Sequence, residues 1–95
     1  MVSGNLIPDK FALEQNYPNP FNPSTTIRFS IPNEVQVNLS VYNILGEKVK
    51  DLKNEFMKPG YYEVKYDVTA LASGVYFYRI KAGDFVSTKK MILLK

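Results

Sequence analysis

Histidine and cysteine are both absent from the 95 residues. Their absence removes thiolate and imidazole zinc sites, cysteine nucleophiles and the usual catalytic triads together, and with cysteine goes any disulfide framework. Chemistry is left to nine carboxylates, twelve Lys or Arg, seven tyrosines and the hydroxyls. The carboxylates fall singly along the chain. Glu63 and Asp67 lie close enough to share a strand face, but a glycosidase needs two carboxylates at a fixed separation in a cleft, and so short a chain leaves little room for one. No alternating run of Asp ligands marks a calcium loop. The glycines are isolated, so no phosphate cradle is present. Asn38-Leu39-Ser40 matches the glycosylation sequon inside a stretch that reads as strand. No catalytic residue, metal ligand or cofactor is expected, and the chain is not expected to be an enzyme.

The aromatic residues admit two readings. Tyr61, Tyr62, Tyr76 and Tyr78 could build a flat stacking platform of the kind sugar-binding β-sandwiches use. Ordinary core and cross-strand packing is the stronger reading, because their neighbours Val64, Val75 and Ile80 look like core positions. Tyr78, Arg79 and Lys81 are too few to interleave aromatic and basic groups along a nucleic-acid groove, so no nucleic-acid partner is expected. The formal charge of +3 is placed unevenly. Residues 1–70 hold seven Lys or Arg against eight Asp or Glu, whereas residues 71–95 hold Arg79, Lys81, Lys89, Lys90 and Lys95 against Asp84 alone. An electrostatic partner would meet the chain there; a solvated sheet face is the plainer alternative.

The elements that must position these residues read as strands. A chain of this length forms one domain around one core. Its apolar content of 45% and aromatic content of 14% argue for a globular fold. No segment approaches the ~18 apolar residues of a membrane helix, and the first ten residues lack the pattern of a secretory signal. Residues 1–4 read as an expression-derived extension, with any export signal of a parent protein upstream. Residues 1–24 form an extended lead-in with no regular element. Pro18, Pro20 and Pro23 in NYPNPFNPS exclude helix and central strand. Tyr17 and Phe21 are the apolar anchors expected to pack on the body, and Asn19 and Asn22 to close local turns.

From Thr25 the period becomes two. Strands are expected from Thr25 to Ile31, Val35 to Tyr42 and Glu47 to Leu52, the last near an edge, with Lys53 to Met57 ambiguous between strand and loop. Tyr61 to Tyr66 follows the Pro59-Gly60 turn. Asp67 to Gly74 reads as a loop with a helical turn, docked by Leu71. Val75 to Lys81 is apolar on both faces and suits a central strand. Gly83-Asp84 turns the chain into a last strand from Phe85 through Lys95. The expectation is an all-β, immunoglobulin-like antiparallel β-sandwich of about seven strands over residues 25–95. An unpaired edge near residues 47–57 or 85–95 would support a strand-to-strand dimer.

Three stretches in this order carry a family resemblance: NYPNPFNPST (Asn16 to Thr25), VNLSVYNILGEKV (Val37 to Val49) and LASGVYFYRIKAGDFVSTKKMILLK (Leu71 to Lys95). From about Leu6 to Lys95 the chain resembles the type A C-terminal sorting domain of the type IX secretion system, found on secreted proteins of the Bacteroidetes and related phyla. The resemblance implies a non-catalytic signal on a larger parent protein. Such a domain folds in the periplasm and is recognised by the outer-membrane translocation machinery. A cell-surface cysteine endopeptidase usually removes it, leaving the mature protein at the cell surface or outside the cell. Carried over by position, recognition would fall on Gly74, Tyr76, Arg79, Lys89, Lys90, Leu93, Leu94 and Lys95. Tyr17, Asn19, Pro20, Phe21, Asn22 and Pro23 would form a structural strap. Tyr66-Asp67 stands where many members carry tryptophan-aspartate, a conservative departure. Two other classes fit the composition: a carbohydrate-binding module attached to an extracellular hydrolase, and a structural stalk. A stalk usually sits between domains, whereas this domain is expected to end its polypeptide.

Overall fold

The structure, a computed structural model, describes residues 7–95; the reading of residues 1–4 as an expression-derived extension lies outside the described residues. Seven strands form two antiparallel sheets, and no helix occurs among the described residues. In chain order they are β1 (Ala12–Leu13), β2 (Ser24–Ile31), β3 (Val35–Tyr42), β4 (Lys48–Met57), β5 (Gly60–Asp67), β6 (Gly74–Ala82) and β7 (Phe85–Leu93). One sheet has the order β1-β2-β5 and the other β4-β3-β6-β7. This three-on-four arrangement is that of an immunoglobulin-like sandwich.

Period-two alternation builds the core. Ile27, Phe29 and Ile31 of β2 meet Val37, Leu39 and Val41 of β3, with Tyr76, Tyr78, Ile80 and Ala82 of β6 and Met91 and Leu93 of β7. Burial of these side chains is the main favourable term in folding. The β6–β7 hairpin closes between Ala82 and Phe85. Gly83 takes φ +60 there, as a two-residue hairpin turn of this kind requires.

Four local readings are corrected. The lead-in contains a regular element after all: Ala12 and Leu13 pair with Ser30 and Phe29. Two residues are too few to show a period, so the strand left no pattern. Lys48 to Met57 is one continuous edge strand rather than a short strand and an ambiguous tail. Its pairing with β3 skips Leu52 and Val49 at two register shifts, which turns both apolar side chains toward the core. Such bulges break the alternation that a strand is read from. Residues 68–73 carry no helical turn, and Val68 is the buried anchor of that loop, while Leu71 is only half-buried. The Val68 N–H donates to the Pro23 carbonyl, which fixes the loop against the lead-in. The last strand stops at Leu93.

Candidate recognition surface

The strands β6 and β7 carry the residues expected to be read by a partner, and the pleat sorts them onto two faces. Tyr76, paired with Met91, and Leu93, paired with Gly74, point into the core. Arg79, paired with Thr88, and Lys90, paired with Phe77, point out of the sandwich. Lys89 pairs with the buried Tyr78 and lies half-buried on the inner side, so the two adjacent lysines face opposite ways.

Two of the eight expected recognition residues are therefore placed where no partner side chain can touch them. Leu93 is 0% exposed and Tyr76 is 9% exposed. The Tyr76 hydroxyl donates to the Ala72 carbonyl at 2.8 Å, four residues upstream. That bond, at the entry to β6, is the tyrosine corner of immunoglobulin-like sandwiches. Gly74 just before it takes φ +154, a conformation side chains rarely adopt, as the chain swings from the loop into β6. Leu94 and Lys95 are exposed but tied down. The Leu94 N–H donates to the Phe21 carbonyl at 2.9 Å. The Lys95 N–H donates to the Ser73 hydroxyl at 2.9 Å, and its Nζ to the Thr69 carbonyl at 2.6 Å.

The outer face of the four-stranded sheet follows from the register. Across it run Lys48, Tyr42, Phe77 and Lys90 in one row, then Asp51, Ser40, Arg79 and Thr88, then Asn54, Asn38, Lys81 and Val86. Four cations and one carboxylate occupy these rows. The carboxylate is already engaged: Ser40 donates its hydroxyl to Asp51, and Lys48 Nζ lies 3.1 Å from it. The Ser40 hydrogen bond, and after it Lys48, holds the Asp51 carboxyl below its usual range. Arg79 has no carboxylate within ion-pair distance among the described residues. Its guanidinium lies 5.0 Å above the centre of the Tyr42 ring and donates to the Tyr42 hydroxyl at 2.9 Å.

The lead-in is bound along the end of β7. The Phe21 N–H donates to the Ile92 carbonyl at 2.9 Å, and Phe21 forms a parallel bridge with Leu93. Asn19 Oδ1 accepts from the Ile92 N–H at 2.9 Å, a contact across 73 residues of chain rather than a local turn. Asn22 makes no side-chain hydrogen bond among the described residues and is exposed, as is Pro20; Pro23 is half-buried. Phe21 is buried at 2% exposure, but Tyr17 is 74% exposed. Tyr17 does not pack on the body: its backbone exchanges both hydrogen bonds with Thr26, and this turns the ring outward.

Asn16, Gln15 and the Tyr78 hydroxyl hold this segment, a role the sequence assigns to none of them. Asn16 is 2% exposed; its Nδ2 donates to Thr25 Oγ1 at 2.9 Å, and its backbone N–H donates to the Tyr78 hydroxyl at 2.7 Å. The Tyr78 hydroxyl in turn donates to the Glu14 carbonyl at 2.7 Å. Burial pushes the Tyr78 phenol up to about 12, with the Asn16 N–H acting in the other direction. Gln15 Nε2 donates to the Lys90 carbonyl at 2.7 Å. No signal in the sequence marks Asn16, because its burial and its partners Thr25 and Tyr78 come from the fold.

The four tyrosines weighed as a sugar platform are dispersed. Tyr76 and Tyr78 are buried, Tyr62 stacks on Phe29 at 5.5 Å, and Tyr61 alone is exposed, at 66%. No cluster of three or more metal-ligating side chains occurs among the described residues. No helix of the structure is long and apolar enough to cross a membrane.

The fold and these surfaces define an immunoglobulin-like β-sandwich module with a cationic sheet face and a strapped strand end. The family model described as a secretion system C-terminal sorting domain matches residues 15–94, and the chain belongs to that family. Members are C-terminal sorting signals of the type IX secretion system, which directs proteins to the cell surface or the extracellular space; the family is not a catalytic one. No curated protein and no solved structure matches the chain.

Proposed function

We propose that this domain sits on a larger secreted protein, folds during periplasmic transit, and is recognised by the outer-membrane type IX machinery through β6, β7 and the residues that follow. The family match over residues 15–94 carries this reading. Arg79, Lys89, Lys90, Leu94 and Lys95 are the contact residues, because each leaves its side chain wholly or partly in solvent. Gly74, Tyr76 and Leu93 act behind them, by fixing the entry to β6 and the end of β7. The lead-in residues Tyr17, Asn19, Pro20, Phe21, Asn22 and Pro23 serve as a strap that keeps the end of β7 in one conformation. Residues 25–95 supply the body of the sandwich, to which the lead-in adds the short strand β1. A cell-surface cysteine endopeptidase then removes the domain from its parent.

A rigid, exposed strand pair with cations along it is what a receptor can read without ordering the signal first. The test is a fusion of residues 5–95 to a periplasmic reporter in a type IX-competent host. Export of the reporter to the surface or medium is the expected result. Retention in the periplasm, with the fusion intact and folded, overturns the proposal.

A further inference from the structure

The Arg79–Tyr42 pair lies in an open pocket of about 360 Å³ on the outer face, walled by Phe77, Ile44 and Thr88. Three features make it more than a solvated arginine. The guanidinium is pre-positioned, with its central carbon 5.0 Å over the Tyr42 ring and one N–H on the Tyr42 hydroxyl. Its other N–H groups have no partner among the described residues. Beside it, Ile44 and Leu45 hold 70% and 78% of their surface in water at the tip of the β3–β4 turn. That tip is rigid: Asn43 Oδ1 accepts the N–H groups of Leu45 at 2.9 Å and Glu47 at 3.0 Å. The turn therefore presents its apolar side chains at little entropic cost.

We infer that this pocket is a carboxylate-binding site for an acidic segment of a partner protein, with the carboxylate on Arg79 and an adjoining apolar side chain between Phe77 and Ile44. Charge complementarity selects the partner. Arg79, Lys81 and Lys90 share this face, and the one carboxylate in the same rows, Asp51, is satisfied by Ser40 and Lys48. A planar guanidinium held through one N–H keeps others to meet a carboxylate fork in two-point geometry. A phosphate or sulfated glycan would be better served by cations converging on one point. Here Lys81 stands two residues along β6, about 7 Å away by strand rise. The inference deepens the reading of Arg79 as a translocation contact and rests on it for the partner's role in secretion. It also brings Tyr42, Ile44 and Phe77 into the recognition surface.

The test titrates the isotope-labelled domain with a capped Phe-Glu-Glu tripeptide and its Phe-Gln-Gln counterpart, followed by backbone and arginine side-chain NMR. The acidic peptide is expected to shift Arg79, Tyr42, Phe77 and Thr88, with dissociation near 1 mM, on the order of a single anchored contact. The Gln peptide is expected to bind roughly tenfold more weakly, as is the acidic peptide to Arg79→Ala, with Arg79→Lys restoring part of the loss. Equal binding of both peptides, shifts confined to other faces, or tighter binding of inorganic phosphate or a sulfated disaccharide overturns the inference. Export of the Arg79→Ala fusion is read separately. Normal export with peptide binding lost removes Arg79 from translocation and leaves the carboxylate site standing. Lost export with both peptides bound equally does the reverse.

Discussion

The hydroxyl of Tyr78 accepts the backbone N–H of Asn16 at 2.7 Å, joining the centre of β6 to the segment that leads into the sandwich. It passes its own proton to the Glu14 carbonyl at 2.7 Å, so one phenol satisfies two backbone groups of the lead-in. Tyr78 is fully buried, and its bond to the Asn16 N–H lies in the interior. Tyr78→Phe leaves the buried Asn16 N–H without its partner and removes the bond to the part-buried Glu14 carbonyl, and a buried orphan costs about 1–3 kcal/mol. Tyr76→Phe removes one bond to one carbonyl and is expected to cost about 1 kcal/mol. Urea denaturation of both variants checks the order. A smaller loss for Tyr78→Phe than for Tyr76→Phe would show that the lead-in is not latched by this phenol.

The same phenol sets an alkaline limit. Burial raises Tyr78 to about 12, and Tyr66 is also raised, by burial and then by Tyr76. The folded state therefore holds these protons more tightly than the unfolded chain, whose tyrosines titrate at about 10. Their contribution is complete below pH ~10 and falls away as pH rises from there toward about 12. Thermal melts between pH 8 and 12 are expected to show melting temperature falling above pH ~10, with a shallower fall in Tyr78→Phe. An identical slope in the variant rules the phenol out as the cause.

Two aromatic residues of the lead-in part company. Phe21, at 2% exposure, fills the core beside Leu93, whereas Tyr17 leaves 74% of its surface in water. Phe21→Ala is expected to cost about 3–5 kcal/mol through the cavity it opens, and to speed hydrogen exchange at the Leu94 amide, which donates to the Phe21 carbonyl. Tyr17→Ala is expected to stay within about 0.5 kcal/mol of the parent. Equal costs for the two would contradict the strap geometry.

The sandwich was legible because its strands alternate cleanly: Ile27, Phe29 and Ile31, or Val37, Leu39 and Val41, declare one buried face without any tertiary information. The family was legible for a different reason, since its motifs are contiguous in sequence. What stayed hidden depends on contacts between distant stretches. Nothing in NYPNPFNPS states that Asn16 is buried and Tyr17 is not; that is decided by pairing of the Tyr17 backbone with Thr26. The bulges that turn Val49 and Leu52 inward mask the edge strand β4. Lys89 and Lys90 read as one basic motif along the chain, but the pleat separates them, and Arg79 is held on the outer face by Tyr42 of a neighbouring strand. Recognition residues are therefore harder to see than core residues, because a surface is assembled from several strands while a period belongs to one.

The end of β7 shows why export must be tested with point variants. Removing Leu93 to Lys95 takes away the fully buried Leu93 side chain, the Leu94 N–H bond to Phe21 and both Lys95 bonds to the loop before β6. Such a truncation is expected to lower the melting temperature as well as export, and the two losses cannot be separated in one protein. Leu94→Glu and Lys90→Glu change only exposed side chains, so stability is expected to remain within about 0.5 kcal/mol. Each reverses or adds charge on the strand end that a translocation partner would meet, and each is expected to retain the reporter in the periplasm. Lys65→Glu, on an exposed position of β5 in the opposite sheet, carries the charge change of Lys90→Glu, and a larger one than Leu94→Glu, away from that surface and is expected to export normally. Folded variants of Lys90 and Leu94 that export as well as Lys65→Glu would place recognition elsewhere on the sandwich. Loss of export in all three would mean that total charge, rather than the β6–β7 surface, is what the machinery reads.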